Sequence, residues 1–189
     1  MEQHEDLRIV KTRKAIRAAL TEMICEMEYG QVNVKELCAR AMINRKTFYL
    51  HYESLDSLFA ELENEIAEGY TRQSISYRSI ADIKKIIRYY FESMAHASTL
   101  NERLMCHPSY RAVSDRINEK VMAYRKKENA GAFGLEAEKE SLAFAYFGSC
   151  SAILYRQWVA DGKTLPLEEL IATATRLICG GMASVVKGD

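Results

Sequence analysis

Residues 33–52 read Asn33-Val34-Lys35-Glu36-Leu37-Cys38-Ala39-Arg40-Ala41-Met42-Ile43-Asn44-Arg45-Lys46-Thr47-Phe48-Tyr49-Leu50-His51-Tyr52. Two short helices are written in that stretch. Asn33 is an N-capping type with Glu36 three residues on, which starts a helix whose Leu37, Cys38 and Ala41 face inward. Asn44 is a second capping type and opens a helix at Arg45, so only Met42-Ile43-Asn44 lie between the two. Upstream, Ile9, Ile16, Leu20, Met23, Ile24 and Met27 recur at three- and four-residue steps, which predicts an amphipathic helix over 7–28 able to brace the pair. Glu28-Tyr29-Gly30 ends it, with Gly30 suited to a left-handed turn. A bracing helix followed by two short ones is the helix-turn-helix pattern, whose second short helix enters the DNA major groove.

The residue types suit that task. Arg45 and Lys46 stand at the N-terminus of the second short helix, where backbone N–H groups also favour phosphate. Arginine can take guanine O6 and N7 with two bonds, and Thr47 suits a phosphate or a thymine methyl. Tyr49 and His51, further along, are placed for backbone phosphates. Singly, Arg45 and Lys46 read equally as a solvated face and Tyr49 as a lid on the core; capping, turn length, apolar pattern and charge coincide only for the group. The 26 basic and 26 acidic residues of the chain cancel, yet residues 7–52 hold nine Lys/Arg against four Glu, a net of +5 that leaves −5 elsewhere. A basic end on a neutral protein fits a DNA-binding head on an acidic body.

The rest of the 189 residues, 48% hydrophobic and 28% charged, fits a globular protein. With only two prolines and nine glycines, the chain reads as all-α, with about nine helices. Ser54 or Leu55 starts a helix striped by Leu55, Leu58, Phe59, Leu62 and Ile66. Further helices fall over 79–97, around 101–106 (ended by His107-Pro108), 109–127, 136–161 and 166–186. Residues 129–134 read as a loop, and Asp161–Pro166 separates the last two helices. No apolar run approaches the roughly 18 residues of a membrane span. Met1–Asp6 is acidic and polar, unlike a secretory signal. The five scattered cysteines suit reduced thiols in the cytoplasm.

On these motifs the chain resembles the tetracycline-repressor (TetR/AcrR) family of transcriptional regulators. The similarity runs from Lys11-Thr12-Arg13 to Leu58, about a quarter of the chain. It rests on Asn33-Val34-x-x-Leu37-x-x-x-Ala41, the Ile43-Asn44 turn and Thr47-Phe48-Tyr49-x-His51-Tyr52. The resemblance implies a three-helix head over 1–53 on a helical ligand-binding and dimerisation body over 54–189. It also implies a homodimer through the last two helices, and usually repression of a palindromic operator. It makes Arg45, Lys46, Thr47 and Tyr49 the DNA-contacting candidates beside Asn44 and His51, with Asn33 and Val34 near phosphate. Three residues depart from the family pattern: Met42 stands for the usual turn Gly, Glu28 for another Gly, and Leu55 for a Lys that contacts phosphate. In the second half, Ile87-x-Tyr89-Tyr90-Phe91, His107-Pro108-Ser109-Tyr110-Arg111 and Phe147-Gly148 through Trp158-x-x-Asp161-Gly162 resemble the branch containing dihydroxyacetone-kinase regulators. Some members of that branch answer to a partner protein.

Tyr90, Phe91, Met94, Met105, Phe147 and Tyr155 are the candidates to line an effector pocket, although aromatic and Met residues at helical spacing also make plain core. Gly148, Ser149, Ser151 and Ala152 allow a close helix approach, at a dimer interface or within the chain. His96 and His107 have no partner at metal-ligand spacing, so neither a metal nor a cofactor is expected. No phosphate-cradling glycine loop, nucleophile elbow or paired His–carboxylate spacing points to an enzyme. The expectation is therefore a regulator that binds double-stranded DNA and answers to a small effector or a partner protein, with the helix from Leu55 to about Tyr70 as the link. The alternatives are a partner-controlled regulator with weakened DNA binding and a small helical enzyme.

Overall fold

A computed structural model describes residues 7–72 and 79–185. Among these the chain forms nine α-helices and no strand: α1 Leu7–Glu26, α2 Val34–Arg40, α3 Arg45–His51, α4 Leu55–Thr71, α5 Ile80–Ala95, α6 Thr99–Cys106, α7 Arg111–Glu128, α8 Ala137–Ala160 and α9 Leu167–Ala183. Met1–Asp6 lies outside the described residues. The helix starts follow from local chemistry. Asn33, Asn44, Ser54, Ser79 and Ser98 each accept a hydrogen bond from the backbone N–H three residues on, which satisfies a donor that the first turn leaves over. At Pro108 the chain cannot continue α6, and the His107 side chain instead accepts from Ser109 N at the start of a short 3-10 turn.

Two local expectations fail. Gly30 does not adopt a left-handed conformation; it sits inside a 3-10 turn, Tyr29–Gln31. That turn is held by the Gln31 side chain accepting from Glu28 N at 3.1 Å, so the reversal needs no positive φ. Ile9 is exposed, because the first turns of α1 precede the part that packs; the buried stripe begins at Ile16.

One core runs unbroken from Ile16, Leu20 and Met23 of α1 through Leu37, Phe48, Leu58 and Phe59 to Phe91, Phe144, Tyr155 and Ile178. In the body α4 packs on α7, α5 on α9, and α8 on α7 and α9. Buried Glu63 of α4 accepts from Arg116 (2.7 and 2.9 Å) and Lys120 (3.0 Å) of α7. Two cations on one buried carboxylate fix where α4 rests, since leaving that charge alone would be costly. The head is also held at a second place, at the C-terminal end of α1. Arg103 of α6 donates to Ile24 O and, at 2.9 Å, to Met27 O, and the Tyr110 hydroxyl donates to the same Met27 carbonyl at 3.1 Å. These are carbonyls that the end of α1 leaves without a helical partner. The head thus meets the body through α4 and through this clasp on the end of α1. The small residues of α8 are used internally: Gly148, Ser151 and Ala152 are buried, and a Cβ on Gly148 would stand 2.6 Å from Met122 Sδ.

Candidate nucleic-acid interface and body cavity

Between α2 and α3 the chain turns on Met42, which takes φ 53° and is 91% exposed. Met42 N donates to Ala39 O at 3.2 Å and Ile43 N to Cys38 O at 3.0 Å. Those two bonds are a Schellman ending with its left-handed position held by methionine, at a strain of about 1–2 kcal/mol. The same ending after α8 uses Gly162 at φ 71°, with Lys163 N donating to Trp158 O at 2.9 Å. The expected difficulty at Met42 is real, and the turn forms despite it.

Phe48, fully buried and packed against Tyr52 at 5.9 Å between ring centroids, anchors α3 and decides which face looks outward. That outer face carries Arg45, Lys46, Tyr49 and Leu50, with Thr47 and His51 partly exposed at its edges. Asn44, which caps α3, is exposed, as are Asn33 and Lys35 at the start of α2, with Val34 half-buried between them. The sequence candidates therefore do come together on one surface. Their charges differ in availability. Arg13, Arg17 and Arg40 are neutralised by Glu61, Glu65, Glu26 and Glu36. Among the described residues Lys35, Arg45 and Lys46 take no acidic partner. Thr47 is less free than expected: its hydroxyl donates to Asn44 Oδ1 at 3.1 Å, beside the 2.8 Å bond that caps the helix. Leu50, 76% exposed, is the residue that the motif reading passed over. Its spacing from Lys46 and Thr47 puts it on their face, where an apolar side chain suits a thymine methyl.

In the body, a cavity of about 60 Å³ lies among α4, α5, α6, α7 and α8. Four of the six expected residues, Tyr90, Met94, Met105 and Phe147, line it. Phe91 and Tyr155 do not. Phe91 turns into the core, and Tyr155 is buried with its hydroxyl donating to Met94 O at 3.0 Å. Tyr70, Met122 and Arg125 line the cavity as well, and the Arg125 guanidinium donates to Tyr70 O at 2.7 Å. A second, open cleft of about 490 Å³ lies between α1, α4, α5 and α6. His96 and His107 serve backbone ends: His96 bonds to Glu92 O, and His107 caps the turn at Pro108.

No protein-family model and no curated protein matches the chain. Solved structures do. A TetR transcriptional regulator from Streptococcus agalactiae aligns over 92% of this chain and 96% of its own, with 17% identity and a TM-score of 0.57. The fatty acid degradation regulator FadR from Bacillus halodurans aligns over 90% and 95%, with 18% identity and a TM-score of 0.62. The FadR regulator from Bacillus subtilis, solved in complex with stearoyl-CoA, aligns over 89% and 98%, with 19% identity and a TM-score of 0.58. The fold is that of the TetR-type transcriptional regulators.

The last two helices of this fold leave apolar side chains in solvent: Leu142, Tyr146 and Ile153 on α8, and Leu177 on α9. The three on α8 recur at four- and seven-residue steps, so they form a stripe on one side of the helix. Tyr146 also crosses to α9, its hydroxyl donating to Leu177 O at 3.3 Å, above Gly181. Among the described residues no helix of the TetR-type fold here is long and apolar enough to cross a membrane.

Proposed function

We propose that the protein is a DNA-binding transcriptional regulator that acts in the cytoplasm as a homodimer and answers to an effector held in its body. The observation that carries this is the face of α3, where Arg45, Lys46 and Leu50 stand exposed on a helix anchored from behind by Phe48. Cations without acidic partners on a helix short enough to enter a groove gain most of their interaction energy only when phosphates and bases arrive. Arg45 would read a base, Leu50 a thymine methyl, and Lys35, Lys46, Tyr49 and His51 the sugar-phosphate backbone, with the starts of α2 and α3 at Asn33-Val34 and Asn44 directed to phosphate.

The head would run to residue 53 and the body from 54. The stripe Leu142–Tyr146–Ile153 with Leu177 would be covered by a second copy, giving two recognition helices about one DNA turn apart on a palindromic site. A regulator of this fold from Bacillus subtilis holds stearoyl-CoA, which supports a small-molecule effector for the body of this chain. An effector would act by fitting one head spacing better than another; equal affinity for both would shift nothing. Both paths from body to head are available to it, α4 past Tyr70 and the Arg103 clasp on the end of α1.

The test is gel-shift retention of random-sequence duplex at low salt. Wild type should retain DNA, and the triple change Lys35→Ala, Arg45→Ala, Lys46→Ala should abolish retention at unchanged helicity by circular dichroism. Equal retention by both proteins would refute the proposal for the α3 face.

A further inference from the structure

The Tyr90 hydroxyl is buried without a hydrogen-bond partner, and it belongs to a residue that lines the 60 Å³ cavity. A buried hydroxyl left unpaired costs about 1–3 kcal/mol, so such groups ordinarily find a partner. Burial also raises the phenol pKa well above its usual range, so the group is a neutral donor at physiological pH. Its neighbours take no part in satisfying it. Tyr70 donates to Met94 Sδ at 3.1 Å, Tyr155 to Met94 O, and Ser151 to Phe147 O at 2.9 Å.

The walls are apolar and deformable. Met94, Met105 and Met122 all line the space, and unbranched thioethers repack readily around a guest. Met122 occupies the notch that Gly148 leaves open. The cavity is also not isolated. Tyr70, Tyr89 and Ser93 line both it and the open cleft of about 490 Å³ between head and body, so three side chains form a shared wall.

We propose that the cavity receives a small, neutral, mostly apolar molecule carrying one hydrogen-bond acceptor, such as a ketone or ester oxygen, which takes the Tyr90 proton donor. The molecule comes in from the cleft between Tyr70 and Tyr89 and displaces Met122. Neutrality follows from the lining: an ion brought among these side chains loses its hydration, and Arg125, the cation among the described lining residues, already donates to Tyr70 O. Only the molecule's role as an effector rests on the regulator reading; its binding does not. Tyr70 sits in the last turn of α4, so a guest that moves it acts on the helix that joins body to head.

Cyclopentanone, cyclopentane and cyclopentanecarboxylate are matched probes for the full chain labelled with 13C at the methionine methyls. Cyclopentanone should shift the Met94, Met105 and Met122 resonances saturably, binding about five- to tenfold more tightly than cyclopentane, the worth of one hydrogen bond. Tyr90→Phe should bring the ketone down to the hydrocarbon while cyclopentane binds as before. Equal affinities in wild type, an undiminished ketone preference in Tyr90→Phe, or tighter binding of the carboxylate would overturn the proposed chemistry. Shifts that spare those three methyls in a folded protein would overturn the site. Tyr89→Ala should speed exchange of the ketone, and unchanged exchange would overturn the route. DNA retention by the ligand-free protein is read separately, so failure of the cavity and failure of the regulator reading are told apart.

Discussion

The outer face of α3 and the cavity beneath α4 are both places where the molecule leaves interactions unmade, but they do so in opposite ways. At the first the groups are solvated: Arg45 and Lys46 on α3, with Lys35 at the start of α2, stand in water with no acidic partner among the described residues, and nothing is lost until DNA replaces that water. In the cavity the Tyr90 hydroxyl is buried with no protein group to bond to, so the cost of burying it is met within the fold. A solvated site can be removed without harming the fold. A buried one is part of the packing, and changing it alters stability and binding together.

That contrast can be broken or sharpened, starting from the largest effect. Phe48→Ala removes the anchor of α3 and should cost about 3–5 kcal/mol in urea denaturation, with loss of DNA binding but a body that stays dimeric in light scattering. Loss of the dimer as well would show that the continuous core makes head and body one cooperative unit. Next, Arg103→Met uncovers the Ile24 carbonyl and leaves Met27 O to Tyr110 alone. About 1.5–3 kcal/mol should be lost, and effector binding should change DNA affinity less than in wild type; an unaltered response would leave α4 as the sole path. Arg45→Ala should weaken specific DNA binding by about 1–3 kcal/mol and relax one base preference, with no change in melting temperature. Equal weakening on every sequence would mark Arg45 as a phosphate contact instead. The smallest effect is at the turn: Met42→Gly relieves the left-handed methionine and should raise stability by about 0.5–1 kcal/mol, read in the same urea titration.

The head was more legible from sequence than the body, for a physical reason. Asn33, Asn44 and Ser54 cap through bonds spanning three residues, so composition alone reveals them. Pro108 and Gly162 mark breaks in the same local way. Gly30 misled because Glu28 and Gln31 supply a competing turn whose side-chain bond no glycine rule anticipates. Ile9 keeps the period of its helix but lies beyond what that helix packs against. In the body, Tyr90 and Phe91 are adjacent, yet only one faces the cavity, because the packing of α5 on α9 sets the rotation of α5. The Arg103 clasp joins residues 79 apart in sequence and no spacing predicts it. Leu50 could have been found by asking which side chains share the face of Lys46, rather than which match a motif.

The most direct measurement of the central claim is selection of fragments from sheared host DNA by the purified chain, followed by titration of the enriched fragment at several salt concentrations. The expected result is a palindromic site whose half-sites lie about one helical turn apart. Its affinity should fall steeply as salt rises, and Lys35→Ala in both protomers should reduce the slope of log affinity against log salt by about 2. A folded, dimeric protein that enriches no fragment even at low salt would contradict the claim that the α3 face reads DNA.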